Sequence, residues 1–148
     1  MLVPVPSRRV LAQTSVWMLV PLYHSPHPLF SFLLVNTLCA SVLHWTHYAP
    51  GSVLQHLDRG FSTCTLLFLL LHAPTPVPLV FAVGAFCAGS LNLRFGFHLQ
   101  HLLWHLVFRA LAFFCALHYC GHTSALAWAL YLCAFCYQAA QVFLVHLS

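Results

Sequence analysis

Lysine is missing from this chain altogether, and Asp58 is the only acid; five arginines (Arg8, Arg9, Arg59, Arg94 and Arg109) supply all of the basic charge. Charged residues make up 4% of the 148 residues, whereas soluble domains carry roughly a quarter. A chain so poor in charge, and 61% hydrophobic, cannot coat a globular surface with polar groups. That points to a membrane protein. The same poverty excludes a nucleic-acid partner, because no basic patch exists to neutralise several phosphates. The net charge of +4 reflects missing acids. A Lys-free chain with one acid is also what an unselected reading frame would encode; sensible span lengths and aligned polar residues argue against that origin.

Histidine and cysteine are plentiful instead, at 12 and 7 residues. The cysteines lie almost entirely inside apolar runs, where a thiol behaves as a small hydrophobe. Cys133 and Cys136 have redox-motif spacing, but they sit in the middle of an expected membrane helix with no preceding βαβ pattern. The odd count also argues against a complete disulfide framework.

Hydropathy divides the chain into apolar runs separated by turn signals. Residues 1–9 read as a short basic leader interrupted by proline. Val10 to Tyr23 is a short run, either a tilted first span or a helix lying in the interface, and His24-Ser25-Pro26-His27-Pro28 is a loop. Leu29 to Tyr48 is long enough at about 1.5 Å per residue to cross a hydrocarbon core of roughly 30 Å. Val53 to Ala73, the shorter Leu79 to Leu93, Phe97 to Tyr119 and Ser124 to Leu147 follow as further spans. The expected fold is all-α: a polytopic transmembrane bundle of about six helices (five to seven), with residues 1–148 forming a single integral membrane domain.

Polar residues within these runs fall in stripes. Thr37, Ser41, His44 and Tyr48 share one helical face, as do Asp58, Ser62 and Thr65. His98, His101 and His105 line another, and Arg109 continues it. Polar groups inside a bilayer face the bundle interior or a wet cavity, because lipid offers them no partner. Counting crossings puts His44 and Tyr48, Asp58, and the three histidines at the same end of the bundle. A shared site follows. Arg59 and Arg94 flank that end, with Arg8 and Arg9 beside them if the first run crosses the bilayer, so the positive-inside rule makes it cytosolic. Arg109, near mid-span, must face inward, snorkel or pair.

Two imidazoles at i and i+4 can hold one metal ion in adjacent tetrahedral positions, the other positions coming from a second helix and from water. The segment around Ser41 and His44 offers that helix, with His47, His56 and His98 as substitute ligands. Asp58 is the sole carboxylate able to orient or deprotonate a water. Two other classes stay open. The histidines could serve interhelical hydrogen bonds in a noncatalytic scaffold or receptor, or His44 or His72 could face His105 or His118 as axial haem ligands.

Ser41-Val42-Leu43-His44, then Leu57-Asp58, then His101-Leu102-Leu103-Trp104-His105, resemble the CREST superfamily of membrane hydrolases and receptors. That group includes alkaline ceramidases, progestin and adiponectin receptors, and lipid-remodelling proteins acting after GPI attachment. In it a Ser and His close one helix, an Asp opens the next, and a His-x-x-x-His pair stands near the start of the last. The resemblance implies zinc held by His44, His101 and His105, with Asp58 and Ser41 holding the water, and hydrolysis of a lipid amide or ester. The family usually has three helices between its Asp and His-x-x-x-His helices and ends on the latter. Here one span intervenes and one follows.

Overall fold

A computed structural model describes residues 5–72, 98–122 and 124–147, and within these every regular element is helical. In chain order they are α1 (Val5–Ser15), a 3₁₀ turn (Val16–Met18), α2 (Leu19–Tyr23), α3 (Pro28–Thr46), α4 (Val53–His72), α5 (His98–Tyr119) and α6 (Ala125–Leu147). The expected span Leu79–Leu93 and the turns around it lie outside the described residues. Residues 5–9, within the stretch read from sequence as a leader, form the first turns of α1. Pro6 is tolerated there because the first helical turn has no carbonyl partner for its missing N–H.

Local chemistry accounts for the boundaries. Pro21 cannot donate to the carbonyl one turn back, and its ring crowds that carbonyl, so the rod tightens into a 3₁₀ turn just before it. At the head of α3, Pro28 occupies the first turn and the His27 ring accepts the Leu29 N–H at 3.2 Å. Ahead of α4, the Ser52 hydroxyl accepts the Gln55 N–H at 3.3 Å while the Gln55 side chain accepts the Gly51 N–H at 2.7 Å, a variant of the capping box. Gly51 takes φ +75°, which a side chain would oppose. A Schellman motif closes α5: Gly121 has φ +73° and the His122 N–H reaches the Leu117 carbonyl at 2.9 Å.

Antiparallel helices α3 and α4 form a hairpin, α1 runs back along α3, and α5 pairs with α6. One end of the bundle is an aromatic plug. Phe30 stacks on Phe68 with centroids 5.0 Å apart, and the Tyr119 ring meets both edge-on. Trp17 stacks on Phe135 at 4.9 Å and meets Phe113 edge-on. Phe30 stands at the start of α3, Phe68 near the end of α4 and Tyr119 at the end of α5, so the opposite ends of the same helices, carrying His44, Asp58 and His105, must meet at the other pole.

Polar side chains share the apolar interior, and many leucines face outward. Thr14, Ser15, Thr37, Ser41, His44, Thr65 and Arg109 are buried, while leucines such as Leu29, Leu43, Leu67, Leu71 and Leu130 are exposed. By length and hydropathy, Pro28–Thr46 is able to cross a membrane, with a mean hydropathy of 1.5.

Candidate functional site

The polar pole encloses a cavity of about 620 Å³ between α1, α3, α4 and α5. Each stripe read from the sequence contributes to its wall: Thr37, Ser41, His44 and Tyr48 from α3 and the turn after it; Asp58, Ser62 and Thr65 from α4; His105 and Arg109 from α5. These residues are brought together because α3 arrives at this pole where α4 and α5 begin.

Arg109 is the deepest polar anchor. Its side chain is 8% exposed, and its guanidinium is directed at the Leu11 carbonyl and the hydroxyls of Thr14 and Ser15 on α1, the Ser15 contact being 3.0 Å. Its second terminal nitrogen donates to the Ser41 hydroxyl at 3.0 Å, and Ser15 also donates to Ser41 at 2.9 Å. With both lone pairs engaged, the Ser41 hydroxyl keeps its proton, and it shares the cavity wall with the Asp58 carboxylate. A cation that would be prohibitive alone in apolar surroundings is thus surrounded by oxygen, with the only acid of the chain close by. Deeper still, Thr65 donates to the Phe61 carbonyl at 2.9 Å and accepts from Thr37 at 2.8 Å, joining α3 to α4.

Among the described residues, Nδ1 of His44, Nε1 of Trp45 and one carboxylate oxygen of Asp58 are buried polar atoms on the cavity wall with no hydrogen-bond partner. Buried polar groups are almost always paired, so acceptors and a donor left open around one cavity mark a place for a polar ligand. His44 is 2% exposed and its ring lies 4.8 Å from Trp45. The Trp45 ring meets His105 edge-on at 5.6 Å and has the Arg109 guanidinium 5.8 Å from its centre.

Of the five sequence-derived site residues, Ser41, His44, Asp58 and His105 line the cavity. His101 stands one turn before His105 on α5, and only its backbone is described, as is that of His98. Among the described residues no three His, Cys, Asp or Glu side chains form a metal-ligating group. The substitutes fall elsewhere: His47 and His56 are exposed and do not line the cavity. At the far pole His72 bonds the Phe68 carbonyl at 2.8 Å, and His118 lies against Trp128 at 6.4 Å. Cys133 and Cys136 are exposed free thiols on α6, and burial pushes the Cys120 thiol, in the turn after α5, up to about 11.

Sequence reasoning missed the α1 contribution. Thr14 and Ser15 both reach the cavity, and the small polar run Gln13-Thr14-Ser15 inside an apolar segment was the available signal. No protein-family model, curated protein or solved structure matches this chain.

Proposed function

We propose that the chain is a multi-pass membrane protein whose polar chamber is a zinc-dependent hydrolase site for a lipid amide or ester. Buried hydroxyls and a buried guanidinium, exposed leucines, and a helix, α3, long and apolar enough to cross a membrane support the membrane reading. One observation carries the chemical reading. The chain's only carboxylate and a buried imidazole, each with an unpaired lone pair, line one cavity with a second imidazole and an arginine.

Imidazole nitrogen is a donor that suits zinc, so His44 and His105 would hold such an ion, leaving the open oxygen of Asp58 for the water beside it. Bound there, zinc would supply Lewis acidity, polarising a carbonyl or acidifying a water. The chain's own groups do the rest. Asp58, on the cavity wall with the Ser41 hydroxyl, takes the proton of the attacking water and passes it to the leaving nitrogen or oxygen. Ser41 is fixed in turn by Arg109 and Ser15, so the base stands beside hydroxyls tied to three helices. The Trp45 indole N–H is free to donate to the carbonyl oxygen as charge develops on it.

A noncatalytic bundle is the second reading, favoured by histidines that serve structure: His27 caps α3 and His72 bonds a backbone carbonyl. Purified protein assayed for fatty-acid release from amide and ester lipids separates the two. Chelator-sensitive release that Asp58→Asn abolishes upholds the hydrolase. No release from a zinc-loaded, folded sample would leave the structural reading.

A further inference from the structure

At the aromatic pole two histidines from separate turns lie ring on ring. His24 follows α2 and His122 follows α5, and their imidazoles stack with centroids 4.6 Å apart and planes 22° from parallel. Backbone contacts hold each ring's base in place. The His24 N–H bonds the Val20 carbonyl at 3.3 Å, and the His122 N–H closes the Schellman motif on Leu117. The His122 carbonyl accepts the Trp128 indole N–H at 2.8 Å, which ties the same turn to α6. Beside the stack, the Cys120 thiol donates to the Pro21 carbonyl at 3.4 Å. Together these contacts clasp the turn between α2 and α3 to the turn between α5 and α6.

The clasp suits two neutral rings. In an imidazolium both ring nitrogens are donors, and Nε2 of His122 is buried with no hydrogen-bond partner among the described residues. A proton added there would leave a buried donor without an acceptor, which is costly. His24 is exposed and can take a proton from water. Two imidazolium rings in this stack would repel. The titratable groups around them are Tyr23 on α2, His27 at the head of α3, His118 and Tyr119 at the end of α5 with Cys120 after them, and Tyr131 on α6; His72, at the end of α4, lies on Phe68. None of these is an acid. The only acidic side chain of the whole sequence, Asp58, stands at the opposite pole beside Arg59. Arg109 is about 15 Å before Tyr119 along α5, and Arg8 and Arg9 belong to the head of α1, where Arg8 lies over Tyr48. A third histidine responds in the same direction. His27 Nδ1 caps α3 by accepting the Leu29 N–H at 3.2 Å, and a protonated Nδ1 has no lone pair to do so.

We infer that the His24–His122 stack is an acid-sensitive clasp, closed while both imidazoles are neutral and opened when protonation puts two cations into it. The opening falls between about pH 7 and about pH 5, where imidazole changes charge. Neither ring lines the polar chamber, so the clasp stands apart from the chemistry proposed there. It reaches that chamber through the chain: α2 continues through the 3₁₀ turn into α1, which supplies Thr14 and Ser15 to the wall. An open clasp removes an anchor of that wall.

Hydrogen–deuterium exchange of the full chain in neutral detergent, at about pH 7.5 and about pH 5.5 and corrected for the intrinsic rate, tests the clasp. Acidification is expected to speed exchange of residues 20–25 and 118–122 by about tenfold or more. His24→Phe and His122→Phe each keep a ring in the stack and remove its charge, so each should stay protected at the lower pH, and the pair together should gain little over either alone. His24→Gln, at an exposed position, removes the charge without a new ring to pack, and should also stay less sensitive to acid than the wild type. His72→Phe, at the same pole but outside the stack, should open as the wild type does. His27→Asn keeps a capping acceptor that does not titrate, and should remove only the acid-induced fraying at the head of α3. Wild-type exchange in the two turns that does not change with pH would overturn the clasp. So would opening as large as the wild type's in both His24→Gln and His122→Phe, or an acid response abolished by His72→Phe.

Discussion

The two poles of the bundle are built from the same helices and hold together by opposite means. At one, Phe30 and Phe68 stack ring on ring, with Tyr119 edge-on to both and His72 stacked on Phe68. At the other, Arg109, Ser15 and Ser41 form a chain of hydrogen bonds beside Asp58 and an open volume, where polar atoms of His44, Trp45 and Asp58 are left unpartnered among the described residues. On the proposed membrane reading, hydrophobic burial would give no driving force between helices, because lipid tails are as apolar as leucine, and shape and hydrogen bonding would decide. The aromatic pole uses shape. The polar pole uses hydrogen bonds, and it leaves some unmade around an open volume.

If that contrast is right, substitutions at the two poles should separate activity from stability. Asp58→Asn should have the largest effect, a loss of about 10²–10⁴ in lipid hydrolysis measured as fatty-acid release, because it removes the only general base. Zinc content and folding should persist in that variant. Arg109→Met strands the hydroxyls of Thr14, Ser15 and Ser41 and the Leu11 carbonyl, and leaves the Asp58 charge without its counterion. Breaking a buried charge network in this way costs about 3–5 kcal/mol, read from unfolding in mixed micelles. Phe30→Ala should cost less than the roughly 3–5 kcal/mol of a water-soluble core, since lipid can replace part of the contact, and should leave zinc binding intact. The smallest effect belongs to Thr37→Val, which removes one interhelical hydrogen bond worth about 0.6 kcal/mol in the same assay.

The polar pole was more legible in the sequence than the aromatic one. A stripe such as Thr37, Ser41, His44 and Tyr48 is visible because it breaks an apolar background at helical spacing, and counting crossings then assigns it an end. All four of these residues reach the cavity, as do Asp58, Ser62 and Thr65. Aromatic contacts have no such signature: nothing in the spacing of Phe30 announces Phe68 or Tyr119, because ring packing depends on helix rotation and on which helices are neighbours. The partners of Arg109 were hidden for a related reason. Sequence required that it face inward, snorkel or pair, but one of its acceptors is the backbone carbonyl of Leu11, which no residue type advertises. Placing α1 against the site depends on that contact and on Arg8 over Tyr48, both of which join residues far apart in the chain.

The most direct test of the central claim, that the polar pole is a metal-dependent site, is elemental analysis of detergent-purified protein beside a His44→Ala/His105→Ala variant with unchanged helix content. The expected result is about one zinc per chain in the first and none in the second. Equal metal content in the two samples, or none in either, would contradict it and leave the polar chamber as a feature of packing.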